Sequence, residues 1–194
     1  MTRIALMRHF PTAWNAEQRL QGRADVPLTD AAREILVGLV IPPPWDSARI
    51  ISSPLVRATE TATILARGRP VVLDEGLVEL SWGAWEGRTA ADLLSDPEAD
   101  FRPTHEWDAD TKAPEGESAR EAWARLRPAL AAIAADPAPA VVIAHKALMR
   151  LVLGNACNWQ GMPEIKRGRL YPLTIGETGL PRELGEPVRL EPLP

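Results

Sequence analysis

The sequence predicts an α/β fold, a three-layer α/β/α sandwich around a mainly parallel central sheet. Three observations carry that reading. Four short apolar or β-branched runs stand at 4–7, 49–52, 71–73 and 141–144. Helical stretches with recognisable start signals separate them, at lengths that make crossover units between parallel strands. The first run is apolar on successive residues instead of alternate ones, as in strands covered on both faces.

Taken in order, the first strand is Ile4, Ala5, Leu6 and Met7. Thr29 caps a helix expected through Val40, which Pro42, Pro43 and Pro44 end. After the second strand (49–52), Ser53 and Pro54 read as an N-cap and a proline at the first helical position. That helix is expected to run to about Ala66, before Gly68 and Pro70. The third strand (71–73) follows. Residues 83–117 lack strong periodicity and carry Pro97, Pro103 and Pro114, so they read as a loop-rich insertion within one domain spanning 1–194. Ser118 and Glu121 form a capping box for a helix to about Ala135. The fourth strand (141–144) leads into a short helix from Lys146 to Leu153, closed by Gly154. The chain after Pro172 is rich in proline and glycine, with an edge strand expected at 187–190.

Composition narrows the function. The longest apolar run, 35–41, is far short of the ~20 residues a membrane helix needs, and four apolar residues before Arg8 are too few for a signal peptide. One cysteine, Cys157, excludes a disulfide framework and any multi-cysteine metal site. A net charge of −4 argues against a nucleic-acid footprint, although 19 of the 22 basic residues are arginine. The expectation is a soluble cytoplasmic domain with no membrane or nucleic-acid partner.

In an open parallel sheet, ligands bind outside the carboxyl ends of the strands. Here the first strand exits into Arg8 and His9, and the second into a helix whose first turn carries Arg57. The third leads within a few residues to Glu79, and the fourth exits into His145. Each has an ordinary structural alternative when taken alone: Arg57 could pair with Glu60, and Glu79 could be a solvated loop carboxylate. Their arrival at one sheet edge from four places is harder to ascribe to chance. Two guanidiniums make a multidentate anion site. Beside it, a histidine can serve as nucleophile and a carboxyl as proton donor, without a metal or cofactor. No Gly-x-Ser-x-Gly elbow, phosphate-binding Gly-rich loop or His-x-x-x-His spacing occurs, so acyl transfer, nucleotide binding and metal hydrolysis lose support. His105, in the insertion, is either a loop residue or a substrate contact.

These residues resemble the histidine phosphatase (phosphoglycerate mutase-like) superfamily. Arg8, His9 and Thr12 match its opening Arg-His-Gly-x-Thr; Asn15, Gln21, Gly22, Asp25, Pro27, Leu28 and Thr29 follow at family spacing. Ser52, Ser53, Pro54, Arg57, Ala58, Thr61 and Ala62 match the second motif, and Leu77, Glu79, Gly83, Trp85, Glu86 and Gly87 the third. Pro114, Gly116, Glu117 and Ser118 match a fourth, and the strand ending at His145 the last. The likeness covers about 3–153. It implies that His9 attacks phosphorus, that Arg8, Arg57 and His145 hold the phosphoryl oxygens, and that Glu79 protonates the leaving alkoxide. It places Thr12, Asn15, Gln21 and Gly22 near the phosphate or substrate, with Trp82, Trp85 and Glu86 flanking the acid. Two residues depart from the pattern: Phe10 and Lys146 stand where the family has glycine. Phe10 loses the close backbone approach that glycine allows, or simply points into the core with the reacting groups in place; Lys146 either adds a cation at the pocket mouth or is a solvated helix start. The resemblance implies a phosphatase acting on a small phosphorylated metabolite. Phosphoglycerate mutase-type transfer, in chains the family makes longer, and a catalytically silent phospho-ligand binder are the alternatives.

Overall fold

The computed structural model describes residues 1–101 and 108–193, so His105 lies outside the described residues. In chain order the elements are β1 (Thr2–Arg8), α1 (Ala13–Ala16), α2 (Asp30–Val37), β2 (Leu39–Val40), β3 (Arg49–Ser52), α3 (Val56–Ala66) and β4 (Val71–Leu73). Then come α4 (Ala90–Leu94), α5 (Ala119–Ala135), β5 (Ala140–Ala144), α6 (Lys146–Ala156), β6 (Arg169–Ile175), β7 (Pro181–Arg182), β8 (Val188–Arg189) and β9 (Glu191–Pro192).

The described sheet runs β4-β3-β5-β1-β6-β7, with β8 also on β6. β1, β5, β3 and β4 are mutually parallel, whereas β6 joins β1 antiparallel. The sheet is therefore mainly parallel, as expected. Period-2 alternation sends each strand's side chains into two cores. Ile4, Leu6, Val142 and Ala144 pack beneath α5 and α6 with Leu126, Leu130 and Met149. Ala5, Met7, Val141 and Ile143 pack on the other face against Leu36, Ala58, Ala62 and Leu65 of α2 and α3. That is the three-layer sandwich.

Register places the chemistry. Arg8 pairs with Ala144 across the parallel β1/β5 ladder, so His9 and His145 leave neighbouring strands at one level. The His9 amide donates to the Ala144 carbonyl at 3.0 Å, extending the ladder one residue beyond the strand.

The capping signals hold at Thr29 and at Ser118, whose box with Glu121 is complete. Three boundaries differ from the sequence reading. α2 stops at Val37 because Leu39 and Val40 turn away to pair with β9. α3 begins at Val56 after Leu55, because the Ser53 hydroxyl is engaged by His145 and the Val56 amide is met by Asp25 Oδ1 at 2.6 Å. α6 continues past Gly154 to Ala156, since that glycine keeps helical backbone where Trp159 crosses it closely. Pro172 lies within β6, a strand that the sequence reading does not include. Its carbonyl faces away from β1, accepting from Gly185 at 2.8 Å, so its missing N–H also points outward and β1 loses no bond. The edge strand expected near 187–190 is β8.

Candidate active site

His9 is buried at 4% exposure directly beyond β1. Its Nδ1 lies 2.7 Å from the carbonyl oxygen of Phe10. A carbonyl can only accept, so Nδ1 carries the proton and Nε2 presents its lone pair. Burial, then the guanidinium of Arg57, holds the imidazole well below its ordinary pKa, outweighing the bond to Phe10. His9 is thus neutral at neutral pH, with a defined nucleophilic nitrogen. Phe10 itself is buried in the α2/α3 core, and its amide donates to Thr61 Oγ1 at 3.1 Å. Of the two alternatives, the structure shows the second: the larger side chain packs into the core.

His145 is fully buried, with its ring centroid 5.3 Å from that of His9. Its Nε2 is 2.8 Å from Ser53 Oγ, while its buried Nδ1 has no partner. Ser53 Oγ already accepts from the Leu55 amide at 3.4 Å. The Ser53 hydroxyl can also donate to Nε2, and in that tautomer the imidazole proton stands on Nδ1, where an incoming oxygen could accept it. Burial, Arg57 and His9 depress this ring's pKa too.

Arg57, in the first turn of α3, is 1% exposed. Its two terminal nitrogens donate to the carbonyls of Ala24 at 2.9 Å and Gly22 at 2.6 Å, which fixes the guanidinium plane. Its Nε and that of Arg8 are buried without partners. Burial lowers the pKa of both, opposed by the charge of Glu79, and both remain cationic at neutral pH. A buried charged donor left unpaired is costly, and an anion would satisfy it.

Glu79 is 5% exposed and closes the N-terminus of α6. It accepts from the amides of Leu80 (3.0 Å), Ala147 (3.2 Å) and Leu148 (3.3 Å). Those bonds and Arg57 favour the carboxylate, but burial outweighs them and the pKa stands above the ordinary value. A carboxyl poised in this way can give up a proton and recover it.

The other expected residues divide. Thr12 caps α1, and its hydroxyl donates to Gln21 Oε1 at 2.8 Å. Asn15 completes that capping box and donates to the same oxygen. Gln21 Nε2 is buried without a partner, a free donor beside the site. Gly22 serves as scaffold: a Cβ there would lie 2.4 Å from Glu86 Oε1, and its carbonyl orients Arg57. Glu86 is committed to the backbone amides of Arg23, Ala24 and Trp82, which ties the loop to the Gly22 turn. One residue was not anticipated. Arg167 reaches Asn15 Oδ1 at 2.8 Å, and burial together with Arg8 takes its pKa down to about 10. Its proximity depends on where β6 begins, and no motif in the sequence signals that.

Fold and site together fit the class of α/β proteins that hold phosphoryl groups between arginines and histidines at a parallel-sheet edge. The profile of the histidine phosphatase superfamily (branch 1) matches residues 4–174, and the chain belongs to that family. It is 35% identical over 133 residues to "Probable phosphoglycerate mutase GpmB" of Escherichia coli O1:K1, matching 67% of this chain. The chain spans about three-fifths (62%) of the length of the curated relatives it matches. Among solved structures it superposes on mycobacterial glucosyl-3-phosphoglycerate phosphatase with a TM-score of 0.77 and 26% identity, covering 95% of this chain and 98% of that one. YhfR of Bacillus stearothermophilus gives 0.74 and 27%, over 93% and 94%.

Proposed function

We propose that the protein hydrolyses small phosphate monoesters through a phosphohistidine on His9. The observation that carries this reading is the protonated Nδ1 of His9, which leaves Nε2 as a free lone pair beside two buried, unsatisfied guanidinium Nε groups. In the first step His9 Nε2 attacks phosphorus in line. The N–P bond forms as the P–O bond breaks, and Glu79 delivers its proton to the departing oxygen. In the second step water attacks phosphorus and its proton goes to Glu79. The bond to His9 breaks, and inorganic phosphate leaves. Arg8, Arg57 and His145 Nδ1–H meet the charge on the phosphoryl oxygens, the task that preformed donors perform best. Gln21 Nε2 adds one neutral donor, and Thr12, Asn15 and Gly22 hold this frame.

Water as the acceptor is supported by likeness to a phosphatase over nearly the whole of both chains. Similarity to a mutase supports a second reading, in which the phosphohistidine returns its group to the substrate. Release of inorganic phosphate, measured beside a coupled mutase assay on the same phosphorylated acid, decides between them. Phosphate release with no isomerised product is expected; isomerisation without release would replace hydrolysis by transfer. Protein cations supply the charge neutralisation, so EDTA should leave aryl phosphate hydrolysis unchanged. Loss restored by a divalent ion would overturn that part of the mechanism.

A further inference from the structure

Beside the phosphoryl site, and sharing Arg8 with it, lies a groove of about 610 Å³ that the proposed mechanism does not use. Lys146, Arg150, Lys166 and Arg167 line it with Arg8, and Glu164 is the acidic residue of the wall. Glu164 is already paired with Lys166 at 2.9 Å. No carboxylate pairs with Lys146, Arg150 or Arg167 among the described residues; Arg167 meets only the neutral amide of Asn15. Its Nε is buried without a partner. Lys146, Arg150 and Lys166 are exposed, and with Arg8 and Arg167 they converge on one concavity instead of spreading over a face. Burial and then Arg8, Arg150 and Arg167 depress the Lys146 ammonium, as expected of like charges crowded together.

We propose that this groove binds a second anionic group, a carboxylate or a phosphate, carried by the leaving alcohol of the substrate. The inference rests on the phosphatase reading and narrows it to substrates charged at both ends. The phosphoryl group sits between Arg8, Arg57 and the two histidines, and the second charge extends past Arg8 toward Lys146, Arg150 and Arg167. Lys146, where the family has glycine, then takes a direct part in substrate choice. An anion placed there relieves the mutual repulsion of the cations and gains charge-assisted hydrogen bonds.

The test is a set of three-carbon phosphates whose far end is a hydroxyl, a carboxylate or a second phosphate: 3-hydroxypropyl phosphate, 3-phosphooxypropionate and propane-1,3-diyl bisphosphate. The wild type should show kcat/KM about tenfold or more higher for one or both charged substrates than for the hydroxyl compound, the worth of one charge-assisted contact. A carboxylate preference identifies a phosphorylated acid, and a phosphate preference a bisphosphate. The ratio of charged to hydroxyl substrate should fall toward one in Lys146→Ala and in Arg150→Ala. Equal kcat/KM for all three substrates in the wild type overturns the second-anion site and leaves the phosphatase reading intact. A ratio that neither substitution lowers overturns the groove as its location. If no substrate releases phosphate, nitrophenyl phosphate included, the phosphatase reading fails and the inference falls with it.

Discussion

At Glu79, burial favours a neutral carboxyl and three backbone amides favour its anion, and burial prevails. A group in that balance should act as a proton donor, and its loss should depend on the leaving group. Glu79→Gln should cut alkyl phosphate turnover by ~10²–10⁴-fold and nitrophenyl phosphate turnover much less, because an aryl oxide departs with little help. Arg57→Ala should impair both alike, since the phosphoryl group is common to them. Rapid-quench measurement of the first turnover isolates the step; equal losses in Glu79→Gln would remove the residue from the acid role. The pH profile has a matching sign. His9 must be neutral, and its depressed pKa puts the acid limb of kcat/KM below the ordinary histidine value. Glu79 must be protonated, and its raised pKa puts the alkaline limb above the ordinary glutamate value. The alkaline limb should vanish in Glu79→Gln. Residues leaving strand ends were legible in the sequence, because a parallel sheet delivers all of them to one edge. The tautomer of His9 was not, because it depends on one carbonyl brought close by the fold.

Among the elements, the segment that carries Glu79 is held by contacts between distant turns. Gly83 has φ +46°, and a Cβ there would lie 2.1 Å from the Pro114 carbonyl oxygen, a backbone atom that cannot yield cheaply. Glu117 anchors the same junction, pairing with Arg125 at 2.8 Å and Arg23 at 3.2 Å. The Pro114-to-Ser118 motif therefore acts as a brace: Gly116 and Glu117 hold the turn while Ser118 starts α5. Gly83→Ala should destabilise the fold by at least ~2 kcal/mol, combining left-handed strain with the clash. Urea unfolding measures it, and a change below 0.5 kcal/mol (the ~0.5 scale of an ordinary surface substitution) would contradict the brace. The helices with side-chain caps at Thr29 and Ser118 were legible, since a local hydrogen bond decides where they start. α3 starts later than its local signal because the hydroxyl of Ser53 is claimed by His145, a residue 92 positions away. β6 is not legible locally, because a proline fits a strand only where its missing N–H points away from the neighbouring strand, and that direction is set by the fold.

Across the whole molecule, two histidines are buried in neutral form, and this links stability to pH. Both have folded pKa values below the unfolded value, so the unfolded chain binds protons that the folded chain refuses. Stability should therefore fall as pH drops below about 6.5, by at most ~1.4 kcal/mol per pH unit for each histidine. Glu79 has the opposite sign: its contribution is present below the unfolded glutamate pKa and is lost as pH rises through its folded value. Between pH 7 and 5 the histidines should give a falling Tm, with a shallower fall in His145→Gln than in the wild type. Parallel slopes would show that the His145 ring titrates freely in the folded state. The central claim, that this sheet edge makes His9 a nucleophile toward phosphorus, is tested most directly by trapping the adduct. Wild-type protein mixed with a ³²P-labelled phosphate monoester and quenched without acid should carry label on one acid-labile histidine. The account predicts that the label lies on His9 and is absent from His9→Ala; label retained by His9→Ala, at any residue, would contradict it.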